Sequence, residues 1–405
     1  MMKTAGVIVE YNPFHNGHLY HLEETKKTTG ADIVIAVMSG SFLQRGEPAL
    51  VDKWSRTKMA LENGIDLVIE LPYVYSTQKA EVFAKGAVSL LTAIGVDELC
   101  FGSEAGLIQD FEKTMSFIKE NDKDYNEKIQ LFMSEGNSYP KAASLAFQSL
   151  KDHETVLDLS LPNNILGYQY VKAIDEQKSH IQAQTILRTK AGYHEESFTD
   201  KKIASATAIR KELLSEDLGP QNVKAFVPEP TYHELNRFYR SHNKYHGWHR
   251  LYPFLRYKLL TSSQKDLKKI YEAEEGLENR LVSAAKASAD FMSFMEAVKT
   301  KRYTWTRLQR FALHILTNTV KDDMKPALHT DAPYLRLLGM SSAGRMYLNK
   351  VKSSLTIPLV ANINQFNHPF LDIEKKVSEV YALGFDGSDQ EAFLKKEFTS
   401  SPIMI

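Results

Sequence analysis

Four short apolar runs, rich in β-branched residues and separated by helix-length stretches, constrain this chain more than any other feature. They are Gly6–Val9, Asp32–Met38, Asp66–Glu70 and Glu98–Gly102. Strands joined by helical segments specify a parallel sheet with crossover helices. Their near-continuous apolar character implies burial on both faces. The intervening patterns predict helices from about His18, from Lys53 to Glu62 and from Lys79 to Ile94. Residues 108–180 read as mostly helical, Thr185–Arg188 as a strand returning to the sheet, and Ser205 as the approximate start of another helix. The expected fold class is therefore α/β, a Rossmann-like parallel-sheet domain over 1–225. Val227–Pro230 reads as a linker or domain edge. Residues 226–405 read as a mainly α-helical C-terminal region, with long helical runs at Leu267–Ala289 and Trp305–Thr319.

At 405 residues the chain is long enough for two or three cores. Lys+Arg and Asp+Glu are 50 each, so the formal net charge is zero. A zero balance leaves nucleic-acid binding open, because a local basic face suffices for it. The single cysteine, Cys100, excludes an internal disulfide and a Cys-based zinc site, and reads as a buried strand residue. The apolar run Ala5–Val9 is too short for a signal peptide and is followed at once by Glu10, Asn12 and His15. No stretch approaches the ~20 apolar residues of a membrane span. The expected location is the cytoplasm.

The densest chemical signal is Val9-Glu10-Tyr11-Asn12-Pro13-Phe14-His15-Asn16-Gly17-His18, between the first strand and the first helix. In a parallel α/β sheet, ligands bind at the carboxyl ends of the strands. A helix start there offers free N–H groups and a positive dipole end to phosphates. Two histidines three residues apart can donate hydrogen bonds to oxygens of an α-phosphate during in-line displacement. Gly17 lets the backbone approach a nucleotide closely. The plainer reading is a polar loop with two satisfied surface histidines.

Further along, Ser205-Ala206-Thr207-Ala208-Ile209-Arg210 opens a helix. Hydroxyls at a helix start with an arginine one turn on suit β- and γ-phosphates, although an ordinary N-cap looks the same. Ser39–Pro48 follows the second strand and is a candidate wall of the site. Lys53, Arg56 and Lys58 read equally well as a solvated helix face. Gly102 ends the fourth strand, where it can admit an adenine or ribose. Asn163 is a candidate adenine contact or a plain cap, and Arg188 a candidate phosphate contact or surface ion pair.

The C-terminal half interleaves aromatic and basic residues twice. The first cluster, over 232–258, holds Tyr232, Phe238, Tyr239, Tyr245, Trp248, Tyr252 and Tyr257 among Arg237, Arg240, Lys244, Arg250, Arg256 and Lys258. The second is Lys299, Lys301, Arg302, Tyr303, Trp305, Arg307 and Arg310. Cations attract phosphates and aromatic faces stack on unpaired bases, so either cluster is a candidate RNA surface. Ordinary helical packing produces the same composition.

The string Glu10–His18 resembles the bacterial tRNA(Met) cytidine acetate ligases, within the HxGH nucleotidyltransferase superfamily. The similarity continues through Met38-Ser39-Gly40, Phe42–Pro48, Lys53-Trp54, Arg56-Thr57-Lys58, Glu70–Tyr73, Phe101–Glu104, Pro162–Gly167, Glu275–Arg280 and Thr300–Thr304. It covers nearly the whole chain, except that residues 385–405 carry no usable motif. Ser205–Arg210 is similar to the Ser-Ser-Thr-x-Ile-Arg element of HxGH enzymes, with Ala206 where a hydroxyl is usual.

The resemblance implies activation of acetate by ATP to acetyl adenylate, with release of pyrophosphate. The acetyl group then passes to N4 of the wobble cytidine of elongator tRNA(Met). It implies catalytic roles for His15 and His18. It implies ATP contacts along Val7, Ile8, Val9, Glu10, Tyr11, Asn12, Pro13, Phe14, His15, Asn16, Gly17, His18, Leu19 and Tyr20, and at Gly102, Asn163 and Arg188. Ser205 and Thr207 join that set from their position in the phosphate element. Arg250, Lys301 and Arg302 are candidate tRNA contacts. Mg²⁺ is expected with ATP, but no carboxylate cluster marks a protein metal site. Two other readings stay open: a small-molecule adenylyltransferase, which shares the HxGH chemistry, and a non-catalytic RNA-binding protein on the same fold. The sequence leaves the oligomeric state undetermined.

Overall fold

A computed structural model of the chain describes residues 2–188, 204–215, 219–274 and 276–405. Its N-terminal half alternates as the apolar runs require: β1 Thr4–Val9, α1 Asn16–Thr29, β2 Ile33–Ser39, α2 Lys53–Glu62, β3 Leu67–Leu71, the single turn α3 Tyr73–Ser76, α4 Ala80–Ile94 and β4 Glu98–Ser103. Pro72, which cannot extend the ladder beyond β3, begins the turn into α3. All seven residues of β2 and all five of β3 are buried, as expected of strands covered on both faces.

A helical layer follows: α5 Ile108–Glu120, α6 Asp122–Ser134, α7 Tyr139–Gln148 and α8 Pro162–Glu176. The chain then returns as β5 Gln182–Leu187, parallel to β4. Next come α9 Ala206–Ser215, α10 Glu229–His242, α11 Trp248–Thr261, α12 Gln264–Leu267, α13 Leu277–Ala287, α14 Phe291–Val298, α15 Trp305–Leu316 and α16 Lys321–His329. The chain closes with β6 Leu335–Met340, α17 Ser342–Val351, β7 Leu359–Val360, α18 Pro369–Ala382, α19 Gly387–Thr399 and β8 Ile403–Met404.

The sheet order is β5-β4-β1-β2-β3-β6-β7, with β8 also paired to β6. Strands β1 to β5 are mutually parallel, and β6 lies antiparallel to β3. The sheet is thus mostly parallel rather than wholly so. It draws strands from both sides of the boundary placed at 225/226.

Three local expectations need correction. Leu267–Ala289 is not one helix: α12 stops at Leu267 and α13 starts at Leu277, with Glu272 at φ 64° and Gly276 at φ 75° between them. Left-handed residues cannot continue a right-handed helix. Val227–Pro230 is not an open linker, because Val227 is buried and Pro228 is the N-cap of α10. Trp305–Thr319 is helical only to Leu316. Glu275, in the resemblance stretch Glu275–Arg280, lies outside the described residues.

Candidate active site

A cavity of about 480 Å³ opens where the carboxyl ends of β1, β4 and β5 meet the starts of α1, α8 and α9. Its lining includes His15, His18, Gly102, Asn163, Arg188, Ser205, Thr207 and Arg210. The sheet brings together residues almost 200 positions apart in the order expected of nucleotide sites at strand carboxyl ends.

The start of α1 is built by its own histidines. His15 is the N-cap, and its Nδ1 accepts the Gly17 N–H at 3.0 Å. That bond places the His15 ring proton on Nε2, which can donate outward. The Nδ1 of His18 faces the His15 N–H at 3.3 Å, completing a reciprocal cap. The two rings stack with centroids 3.8 Å apart. Burial, with Arg188 and Arg210 nearby, pushes the His15 pKa down to about 3. Burial also holds His18 well below the ordinary value, with His15, Arg188 and His21 adding to the effect while the Pro13 carbonyl opposes it. Both rings are therefore neutral hydrogen-bond donors at neutral pH, not imidazolium cations.

Gly17 has a different local task from the one sequence suggests. A Cβ there would come within 2.8 Å of His15 Cε1 and 3.0 Å of Nδ1, so the glycine makes room for the His15 ring. A Cβ at Gly102 would meet Arg188 Cγ at 3.2 Å, so that glycine makes room for the arginine.

The stretch Val7–Tyr20 divides into lining and support. Ile8, Val9, Glu10, His15, Gly17, His18 and Tyr20 line the cavity. Val7, Tyr11 and Phe14 are core residues, and Leu19 packs against that core. Asn12 Oδ1 accepts the Leu50 N–H at 2.8 Å, and its carbonyl accepts from Arg210 at 3.1 Å. Asn16 Nδ2 donates to the Ala225 carbonyl at 3.0 Å. The Pro13 carbonyl faces the His18 ring. Tyr11 turns the chain with φ 48°, a left-handed conformation that a bulky residue adopts only when its surroundings impose it.

The remaining candidates also have physical partners. Glu104 accepts from Asn163 Nδ2 at 2.6 Å and from the Asn164 N–H at 2.7 Å, which fixes the start of α8. Ser205 Oγ accepts from the Ala208 N–H at 3.1 Å, so it caps α9 and lines the cavity at once. Thr207 Oγ1 lies 3.4 Å from Arg210 Nη2, and Arg210 pairs with Glu47 at 3.0 Å. Ala206 is in the lining too, as are Leu43, Gln44, Arg45 and Glu47 of the loop after β2.

His21 was not singled out from the sequence. It lines the cavity one turn beyond His18, and burial pushes its pKa down to about 4. The spacing His15, His18, His21 on one helix face was the available signal. Thr306, at the start of α15, is a second unanticipated lining residue.

Lys53 and Arg56 correct the expectation of a solvated face, since both are buried. Arg56 donates to the carbonyls of Glu10 at 2.8 Å, Ser39 at 2.9 Å and Val51 at 3.3 Å, and to Gly40. It thereby ties together the ends of β1 and β2 beneath the cavity. Lys53 forms ion pairs with Glu70 at 2.6 Å and Glu397 at 2.8 Å. Lys58 alone is partly exposed, pairing with Glu62 and Glu234. Cys100 is buried as expected, its thiol pushed up to about 11.

Both basic–aromatic clusters mix buried and exposed members: Tyr257 of the first is exposed, and Tyr303 and Arg310 of the second are buried. In the first, Phe238, Tyr245, Trp248 and Tyr252 are core residues. Arg250 donates to the carbonyls of Tyr245 at 3.2 Å and Gly384 at 3.3 Å. In the second, Lys301 and Arg302 are exposed, and Arg302 and Arg307 flank the Tyr303 ring at 5.8 and 4.9 Å. This segment leads directly into Thr306 at the cavity.

The fold and site define a nucleotidyl-transfer class, and the comparisons agree. A family model described as HIGH Nucleotidyl Transferase matches residues 2–396. The chain is 51% identical over 383 residues to a tRNA(Met) cytidine acetate ligase of Bacillus cereus, covering 94% of this chain and 98% of that protein. It is 50% identical, over the same shares, to the tRNA(Met) cytidine acetate ligase of Bacillus cytotoxicus. Two crystal structures of Thermotoga maritima TmcAL match over 100% of both chains at 32% identity. The apo form has a TM-score of 0.92, and the form bound with alpha-thio ATP 0.91. The chain belongs to the HIGH nucleotidyl transferase family and, within it, to the tRNA(Met) cytidine acetate ligases.

Proposed function

We propose that the protein uses ATP to activate acetate as acetyl adenylate and then acetylates N4 of the wobble cytidine of elongator tRNA(Met). The observation that carries this reading is the paired, neutral His15 and His18 at a helix start, in a chain half identical to ligases of that name. In-line attack of an acetate oxygen on the α-phosphorus builds charge on the phosphate oxygens. His15 Nε2–H and the His18 ring are held as donors toward that charge without reorganising. Arg188 and Arg210 add positive potential, and the helix starts at Ser205 and His15 supply N–H groups for the β- and γ-phosphates. Adenine fits the apolar side formed by Phe101, Gly102, Ile165, Leu166 and Ile186, with Asn163 at its edge.

Mg²⁺ accompanies the triphosphate in this reading. The described residues include no cluster of three or more His, Cys, Asp or Glu suited to a metal, and a triphosphate supplies the oxygen ligands that Mg²⁺ takes. The exposed Lys301–Arg302 segment, shortly before the cavity-lining Thr306, is the favoured tRNA contact, while Arg250 serves the fold. Among the described residues no helix is long and apolar enough to cross a membrane, and the cytoplasm, where tRNA is modified, is the proposed location.

The test is direct. The protein is incubated with ATP, Mg²⁺, labelled acetate and bulk bacterial tRNA, and the RNA is digested to nucleosides. ATP-dependent label in N4-acetylcytidine is the expected result. Pyrophosphate release without labelled RNA points instead to a small-molecule acceptor, and neither product points to a binding protein.

A further inference from the structure

Glu10 stands in the cavity wall, and the adenylation step described above does not call on its carboxylate. It follows β1 immediately and precedes the left-handed turn at Tyr11. Its Oε1 accepts the Gln44 N–H at 2.8 Å, and Arg56 holds its carbonyl. A carboxylate beside a triphosphate is repelled by it, so Glu10 is poorly suited to be an ATP contact through its side chain.

The sheet order separates two sides of the cavity. β4 and β5, which carry Gly102 and lead to Arg188, lie on one side of β1, and β2 lies on the other. The loop after β2 brings Gln44 and Arg45 against Glu10, and α15 brings Thr306. Gln309 of α15 donates to the Arg45 carbonyl at 2.9 Å, joining that helix to the loop. Thr306, which follows Lys301 and Arg302 in the chain, lines the same cavity as Glu10.

We infer, on the functional reading above, that Glu10 is the catalytic base of acetyl transfer: it accepts a hydrogen bond from the cytidine 4-amino group and takes its proton. The N4 lone pair attacks the carbonyl carbon of acetyl adenylate. An N–C bond forms, the C–O bond to the phosphate breaks, and its electron pair leaves with AMP. The N4 proton passes to the Glu10 carboxylate and then to water. An exocyclic cytosine amine is a weak nucleophile, and loss of its proton prevents reversal. A carboxylate also reads the cytosine amino group, whereas a uracil carbonyl would face it repulsively. Burial raises the Glu10 pKa above its ordinary value. The Gln44 N–H, Arg45 and Arg210 oppose that rise and Glu47 adds to it, and the net result is a stronger base.

Glu10→Gln separates this role from a structural one, because glutamine retains an oxygen to accept the Gln44 N–H. Adenylate formation is read without tRNA by trapping the acetyl group with hydroxylamine, a nucleophile that needs no base. Acetyl transfer is read with tRNA in a single turnover. The expected result is transfer slowed by about 10²- to 10⁴-fold with a much smaller loss of hydroxamate formation. Equal loss of both steps overturns the assignment in favour of a role toward ATP, its metal or the fold. Normal transfer overturns it outright. Absence of hydroxamate from the unmodified protein overturns the ligase reading, and the assignment with it.

Discussion

Two buried polar constellations, one around His15 and His18 and one around Lys53, behave in opposite ways. At His15 and His18, burial is not matched by a counter-charge. The nearby cations push both rings toward neutrality, and the cavity leaves their outer atoms facing a ligand. At Lys53, burial is matched by Glu70 and Glu397, with Glu374 at 4.0 Å and Arg336 beside Glu397 at 3.7 Å. Burial, followed by the neighbouring Glu70, holds the Glu374 carboxyl well above its usual range. Three carboxyl groups thus face two cations there, and burial raises the pKa of Glu397 as well as that of Glu374. Burial of polar groups alone thus marks neither function nor stability. What distinguishes the catalytic pair is an imbalance left open toward a cavity, and what distinguishes the structural cluster is the pairing of opposite charges away from it.

The sharpest way to break this comparison is His18→Ala. It should lower acetate-dependent hydroxamate formation by about 10³-fold, a size typical of removing a preorganised donor, while the thermal midpoint moves little. A near-normal rate would remove His18 from the chemistry. Lys53→Met should do the reverse. It leaves Arg336 as the only cation beside three buried carboxyl groups and should cost about 3–5 kcal/mol of stability by denaturant titration. Activity per folded molecule should remain normal, and a selective loss of activity would make the cluster part of the site.

The two constellations should also differ in pH response. A carboxyl whose folded pKa is raised contributes stability that is full below its unfolded value, about 4.3, and is lost as pH rises through the folded value. Glu374→Gln should therefore flatten the alkaline fall in stability. Histidines with lowered folded pKa act oppositely. His15, at about 3, and His21, at about 4, destabilise the fold as pH falls below about 6.5, because only the unfolded chain takes up the proton. Chemical denaturation between pH 5 and 9 reads both slopes. In Glu374→Gln the loss of stability on raising the pH above about 4.3 should shrink while the histidine loss below about 6.5 persists, and disappearance of both would contradict the separation. The smallest effect is expected for Lys301→Ala with Arg302→Ala: about tenfold weaker tRNA binding and a shallower salt dependence, with ATP use unaltered.

Much of this was legible in the sequence, for reasons visible in particular elements. β1 to β4 announce themselves because strands buried on both faces need long apolar runs, and α2 runs from Lys53 to Glu62 as read. The HxGH pair was legible because both histidines and Gly17 act within a single turn. β6 was missed because Leu335–Met340 contains Arg336 and Gly339 and sits among helices. The fate of Lys53 could not be read locally. Its partners Glu374 and Glu397 lie more than 300 residues away, and Glu397 falls in the stretch that carries no motif. The basic–aromatic clusters looked alike because composition does not reveal which face of a helix is covered.

The antiparallel place of β6 bears on how the protein is made. A ribosome delivers β1 to β5 first, and β3 keeps an open row of N–H and C=O groups until Leu335–Met340 emerges. Such an edge is a template for pairing with another nascent chain. Synthesis of the nucleotide-binding half therefore ends long before its sheet is safe, and chaperone demand should peak over the helical stretch between them.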